Sequence, residues 1–322
     1  MCADLPRSSF GWPLWPMACE NVPATIGPVT NLRHLGHLLD VEPAVLKELA
    51  AGAPAFYRPF SKQDKSGKVR HIDNPTGALK LVQGRIRRQL LNQAPVDDVV
   101  QGGVRGRSAE TNAAIHAGSS LVVKVDIRDF FPTVNSRMVK RAFVRLGFGR
   151  KVASLLARLT TIEDRLPQGA STSTDLANLC MSSVDGEVKR LVGPAVRYTR
   201  FVDDLVLSGD FDGVEMMSVL CRCLRKHGFS PHRKKRKSRV MPAGRNQSVT
   251  GFTVNRKVSL SVEERRNIRA AVRRLETSQL VLQKDLMSCW GRVRRLRRYH
   301  PKEGDALMVR LTKVKAKDEP VG

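Results

Sequence analysis

The sequence predicts an α+β fold. Two β-rich runs, Leu121 to Ile127 and Tyr198 to Leu207, stand far apart, and each carries acids at or near its centre or end. Helical spacing of apolar residues marks the segments near the start of the chain and most of its C-terminal part. Strands and helices follow no regular alternation, which argues against a parallel βαβ sheet.

Residues 1 to about 30 hold Pro6, Pro13, Pro16, Pro23 and Pro28 with Trp12 and Trp15, and read as an irregular extension. Leu32, Leu35, Leu38 and Leu39, then Val45, Leu46 and Leu49 beyond Pro43, predict two short helices. Between Tyr57 and Ile72 the chain alternates and turns through Asp64-Lys65-Ser66-Gly67, a hairpin with a basic tip; Leu79 to Leu91 predicts a helix. The nearly continuous β-branched run from Leu121 to Ile127 is a buried strand that delivers Asp126 at its end. The second run is split by Asp203-Asp204, as in a hairpin with both acids at its turn. In the tail, Ser261 with Glu264 makes a capping box, Val262, Ile268, Val272 and Leu275 define one apolar side, and Arg265, Arg266, Arg269, Arg273 and Arg274 line much of the rest. Three segments result: an extension with short helices (1–44), a central body (45–255) and a basic helical tail (256–322).

Against 30 Asp+Glu the chain carries 56 Lys+Arg, a formal net charge of +26, so a polyanionic partner is the first expectation. The excess is local: Arg233, Lys234, Lys235, Arg236, Lys237 and Arg239 crowd one short stretch. No apolar stretch is long enough to span a bilayer and the start lacks a basic segment followed by an apolar core, so a cytoplasmic location is expected. The six Cys are dispersed and support neither a zinc site nor a disulfide framework.

Acids that end apolar strands 77 positions apart, in so basic a chain, need a reason. Asp-Asp favours turns and an acid can close a strand, so either feature alone is unremarkable. Jointly they point to a hard cation: Mg²⁺ takes oxygen ligands, and phosphoryl-transfer sites hold it with one or two carboxylates plus substrate phosphates. Asp126 with Asp203 and Asp204 can hold two Mg²⁺ about 3.5–4 Å apart, one activating a primer hydroxyl and one steadying pyrophosphate.

Asp126-Ile127-Arg128-Asp129-Phe130-Phe131-Pro132 resembles the first catalytic motif of reverse transcriptases. Leu166-Pro167-Gln168-Gly169-Ala170, continuing to Thr172-Ser173 and Leu176-Ala177-Asn178, is similar to the family motif that backs the incoming nucleotide, and Phe201-Val202-Asp203-Asp204 resembles its aromatic-X-Asp-Asp element. All three stand in family order within about residues 45 to 260. Asn112-Ala113-Ala114-Ile115-His116 and Val249-Thr250-Gly251 resemble two short elements of the retron branch.

The resemblance implies a right-hand polymerase with fingers, a palm of antiparallel sheet with packed helices, and a helical thumb. Asp126 and Asp203 would be the principal metal ligands, with Asp204 assisting and the Ile127 carbonyl completing a shell. Phe131 would be the steric gate against a ribose 2′-hydroxyl, Gln168 would contact the nucleotide sugar, and Arg70, whose fork of donors matches phosphate oxygens, would clamp the triphosphate. Lys237 is the preferred general acid towards pyrophosphate and Lys235 the alternative. Asn112, His116, Val249, Thr250 and Gly251 would bind the cognate RNA, with phosphate contacts from Lys234, Arg236, Arg273 and Arg274. The sequence departs from the family at Ser171 and Thr174, where many relatives carry Pro.

The retron resemblance further implies a dedicated structured non-coding RNA as template and primer, deoxynucleotide substrates, an RNA-linked single-stranded DNA product, and an effector protein where the system serves antiphage defence. The tail leaves little room for an RNase H domain, so a host RNase H would remove template. The alternatives are a reverse transcriptase of the group II intron kind or a freely priming defence enzyme, and, from another class, a non-catalytic RNA-binding scaffold.

Overall fold

The computed structural model describes residues 28–315 apart from 64–66, 68 and 233–236. The Pro-rich extension up to residue 27, most of the expected hairpin tip, Lys234, Lys235 and Arg236 lie outside the described residues.

Asn31 caps the first helix, α1 (Leu32–Leu39), by accepting the His34 amide at 2.9 Å, and Pro43 opens α2 (Pro43–Ala51), where a missing N–H costs nothing. A hairpin follows, β1 (Tyr57–Gln63) with β2 (Val69–Pro75), then α3 (Gly77–Gln89) and α4 (Ala109–His116). The strand β3 (Leu121–Asp126) leads through the short α5 (Phe130–Thr133) to α6 (Ser136–Arg145), α7 (Arg150–Thr160) and the long α8 (Ser173–Val192). The second acid-bearing run forms β4 (Arg197–Phe201) and β5 (Asp204–Gly209), then α9 (Gly213–Lys226) and β6 (Arg239–Pro242). Three two-residue strands, β7 (Ser248–Val249), β8 (Phe252–Thr253) and β9 (Ser259–Leu260), precede α10 (Val262–Thr277), α11 (Gln283–Tyr299) and α12 (Pro301–Leu311).

Four strands make the central sheet in the order β4-β5-β3-β6, antiparallel throughout. Its side chains alternate between faces. Val123, Val125, Leu205 and Leu207 enter the larger core, with α1–α3 and α6–α9, while Val122, Val206 and Met241 enter a second core with β7–β9 and α10–α12. Burial on both faces is why the strand reads as a continuous apolar run. By the same alternation Lys124 and Asp126 share the face of Val122, and Asp204 shares that of Val206.

Two boundaries shift. Leu35, Leu39, Leu46 and Leu49 are buried in the larger core, and residue 44 falls inside α2, so the short helices belong to the body that follows. Val249, Phe252 and Val254 share the second core with the tail, so packing runs across residues 255–256. The capping box is present, with Ser261 accepting the Glu264 amide at 3.1 Å. Ile268 and Val272 are buried as expected, but Val262, in the first turn of α10, is 65% exposed. The arginine face is partly spent on helix packing: Arg265 and Arg269 pair with Glu303, whereas Arg266, Arg273 and Arg274 stay exposed.

Candidate active site

Antiparallel pairing places Asp126 directly opposite Asp204 at one end of the sheet. Phe201 pairs with Asp204, leaving Val202-Asp203 as a two-residue hairpin loop. Val202 has φ +59, a slot that glycine, Asn or Asp usually fills and that costs a β-branched residue of order 1–3 kcal/mol. The Asp203 carbonyl accepts the Ile127 amide at 2.9 Å, which ties the loop to the strand end that carries Asp126. The Asp126 carbonyl in turn accepts the His232 amide at 2.7 Å, so His232 meets the same strand end.

Two lysines neutralise this cluster. Lys124 Nζ lies 2.6 Å from Asp204 Oδ2, and Lys237 Nζ lies 2.8 Å from Asp126 Oδ2. Burial and then the neighbouring Asp126 charge push the Asp203 carboxyl up; burial, opposed by Lys124, pushes Asp204 up to about 6. The hydrogen bond to Asp126 raises Lys237, holding it as an ammonium. Desolvated carboxylates that repel one another are poorly placed as they stand and well placed for a divalent cation. One observation tests that fit: Asp204 Oδ1 is buried without a hydrogen-bond partner, an orphaned acceptor that a cation would satisfy. The all-oxygen donor set of Asp126, Asp203, Asp204 and the Ile127 carbonyl suits such an ion.

Arg70, Asp73, Asp129, Pro132, Arg165 and Gln168 line a cleft of about 390 Å³. The structure therefore brings Arg70 and Gln168 together from β2 and the loop before α8. Asp73 N donates to the Gln168 carbonyl at 2.8 Å, and Gly169 is needed next to it: with φ +128, a Cβ there would meet Ile72 Cγ2 at 2.8 Å. Phe131 is half-buried, its ring 5.5 Å from that of Phe130, and only its neighbour Pro132 lines the cleft.

Three residues of the two retron-like elements have no surface to offer RNA. Asn112 and His116 have no exposed surface, and Val249 is buried. His116 bridges Thr199 Oγ1 and Ser208 Oγ, each at 2.7 Å, from α4 to β4 and β5. The His116 side chain therefore faces the protein's own sheet, and the Asn112 amide group is buried without a hydrogen-bond partner. Thr250 Oγ1 donates to the Ala109 carbonyl at 2.6 Å, so the two elements form one unit, of which Gly251 is exposed and Thr250 half-buried.

Sequence reasoning missed Lys124, Arg200 with Asp185, and the Arg165–Asp73 pair. The signal for Lys124 was present: a lone cation inside an apolar strand demands a buried acid. Which acid answers it is not written locally.

The reverse transcriptase (RNA-dependent DNA polymerase) family matches residues 61–254. The retron Mx65 reverse transcriptase of Myxococcus xanthus is 35% identical over 289 residues, covering 81% of this chain and 63% of that protein. The retron Ec86 reverse transcriptase of Escherichia coli is 28% identical over 250 residues, covering 76% and 78% respectively. The retron Mx162 reverse transcriptase of Myxococcus xanthus is 32% identical over 225 residues, covering 59% and 45%. The chain thus spans less than two thirds of the length of either Myxococcus relative. With a family match over more than half its length, the chain belongs to the reverse transcriptase family, and it is similar to the bacterial retron enzymes named above.

Proposed function

We propose that the chain is an RNA-directed DNA polymerase of a retron, copying a dedicated structured RNA into RNA-linked single-stranded DNA. The observation that carries this reading is the cross-strand pair Asp126 and Asp204, with Asp203 in the adjoining hairpin loop. The family implies a right-hand polymerase: the β1–β2 hairpin with α3 reads as fingers, the four-stranded sheet with its helices as palm, and α10–α12 as thumb.

Asp126, Asp203 and Asp204, with the Ile127 carbonyl, would hold two Mg²⁺. Such ions, when bound, supply charge at the attacking and leaving oxygens of an in-line displacement. The chain's own residues do the positioning. Arg70 offers a fork of donors to the triphosphate, Gln168 meets the nucleotide sugar, and Phe131 fills the space beside the 2′ carbon. Lys237 brings a cation to the departing pyrophosphate. Arg273 and Arg274 hold RNA phosphates, as do Lys234 and Arg236. Priming from a 2′-hydroxyl of a guanosine in the same RNA, trimming by a host RNase H, and an effector that makes the system antiphage belong to the same reading, as does a cytoplasmic location. Among the described residues no helix is long and apolar enough to cross a membrane.

The test is to purify the protein from cells carrying its genomic neighbourhood and sequence the nucleic acid that accompanies it. One structured RNA joined covalently to DNA is expected, and it should vanish in Asp203→Asn. RNA without linked DNA, or the same product from the variant, would overturn the proposal.

A further inference from the structure

Arg200 is a cation with no exposed surface. A charge so placed persists only if paired and fully hydrogen-bonded. Asp185 on α8 supplies the pair, taking Nε at 2.9 Å and Nη2 at 2.8 Å, and it also accepts the Tyr198 hydroxyl at 2.7 Å. The remaining nitrogen, Nη1, is directed elsewhere: to Asn178 Oδ1 at 2.9 Å and to the carbonyl of Val202 at 3.1 Å.

That carbonyl belongs to the peptide whose nitrogen is the amide of Asp203. Its orientation therefore sets where the Asp203 residue begins. Val202 holds its left-handed φ of +59 without the freedom of glycine, so something must keep it there. The guanidinium grips the loop on one side. On the other, the Gln101-Gly102 segment closes in: the Arg200 carbonyl accepts the Gln101 amide at 2.7 Å, Asn178 Nδ2 donates to the Gly102 carbonyl at 3.0 Å, and a Cβ on Gly102 would fall 2.6 Å from Val202 N. Stability alone does not call for this arrangement, because an apolar residue of similar volume often serves a core as well as a buried ion pair. Arginine's rigid fork reaches three acceptors in fixed directions, which an ammonium cannot do.

We infer that Arg200 is a positioning residue for Asp203, clamping the Val202 peptide so that the carboxylate stands at the end of the sheet opposite Asp126. The inference rests on the proposed role of Asp203 as a metal ligand in DNA synthesis.

Primer extension on an oligonucleotide-primed RNA with deoxynucleotides tests it, using Arg200→Lys, Val202→Gly, the double variant and Gly102→Ala. Arg200→Lys keeps a charge for Asp185 but loses the fork. It should lower kcat by about 100-fold, as misplacement of a reacting group does. The KM for nucleotide should hardly change, and more Mg²⁺ should be needed for half-maximal rate. Glycine adopts a positive φ at no steric cost, so Val202→Gly should recover about tenfold of the loss in the Arg200→Lys background. Gly102→Ala leaves the ion pair whole but presses on Val202, and should show the same fall in kcat and shift in Mg²⁺ dependence. Native kcat and Mg²⁺ dependence in Arg200→Lys, or a loss that Val202→Gly does not lessen, would overturn the inference. If Arg200→Lys does not fold, Gly102→Ala decides: native kinetics reject the clamp, and a kcat loss with the Mg²⁺ shift supports it. Asp203→Asn runs alongside. DNA synthesis surviving in that variant would reject the proposed function itself, whereas its loss together with native Arg200→Lys kinetics would reject only the clamp.

Discussion

Asp126 and Asp204 are cross-strand partners in the β3–β5 ladder, and each is met by a different lysine, Lys237 and Lys124. The acid cluster is therefore held together by cations of the protein, with Asp203 half-buried beside it. Asp203→Asn and Asp126→Asn should each reduce DNA synthesis by more than about a hundredfold while RNA binding stays near native. Without divalent cation, Asp203→Asn should melt no lower than the parent, because burial and the Asp126 charge already disfavour its carboxylate. Near-native extension by either variant, or a marked fall in Tm for Asp203→Asn, would count against the site.

Phe131→Ala should admit ribonucleotides, with selectivity falling mainly through the ribonucleotide's improved kcat/KM. The ring is half-buried against Phe130, so the stability cost should be about 1–3 kcal/mol, below that of a fully buried ring. Unchanged deoxy/ribo selectivity in the folded variant would make Phe131 an ordinary packing residue.

His116 gives a pH signature to stability. Burial, then the Arg197 charge, pushes its pKa from 6.5 down to about 3 in the folded state. A lowered folded pKa means the unfolded chain binds the proton more readily, so this contribution is complete above about pH 6.5 and is lost as the pH falls towards 3. Between pH 7 and 5 the loss should be about 2 kcal/mol. Denaturant titrations should show that term in the parent and a flatter profile in His116→Gln. Parallel profiles would mean that the imidazole is not held neutral between Thr199 and Ser208.

Replacing Arg273 and Arg274 with Ala, alone and with Lys234 and Arg236, should weaken binding to any RNA. For every phosphate no longer neutralised, the logarithmic salt dependence should flatten by about 0.7–0.9. The ratio of cognate to unrelated RNA affinity should survive, since interactions with phosphate position the RNA rather than specify its sequence. Competition titrations at several salt concentrations check both, and an unchanged slope would remove these arginines from the interface.

The helix α4 shows where sequence reading stops. The family resemblance expects its Asn112 and His116 to face RNA. The structure does the reverse, leaving Ile115 37% exposed and both polar residues without exposed surface. The sheet face beneath offers Thr199 and Ser208 to His116, whereas the buried Asn112 side chain finds no hydrogen-bond partner among the described residues.

What the sequence by itself determined is what short-range chemistry encodes: the apolar run of β3, the acidic hairpin loop, the Ser261 cap, the break at Pro43, and the net charge that calls for a polyanion. Each depends on residues a few positions apart, where period, turn preference and capping act. Only the tertiary structure decided that Asp126 stands opposite Asp204, that Lys124 and Lys237 neutralise them, that Arg200 finds Asp185 and Val202, and that the two retron-like elements form one unit. Those pairings join residues far apart in the chain, and a charge or amide carries no local mark of its partner, because the free energy that selects it comes from desolvation and packing once the sheet and helices have met.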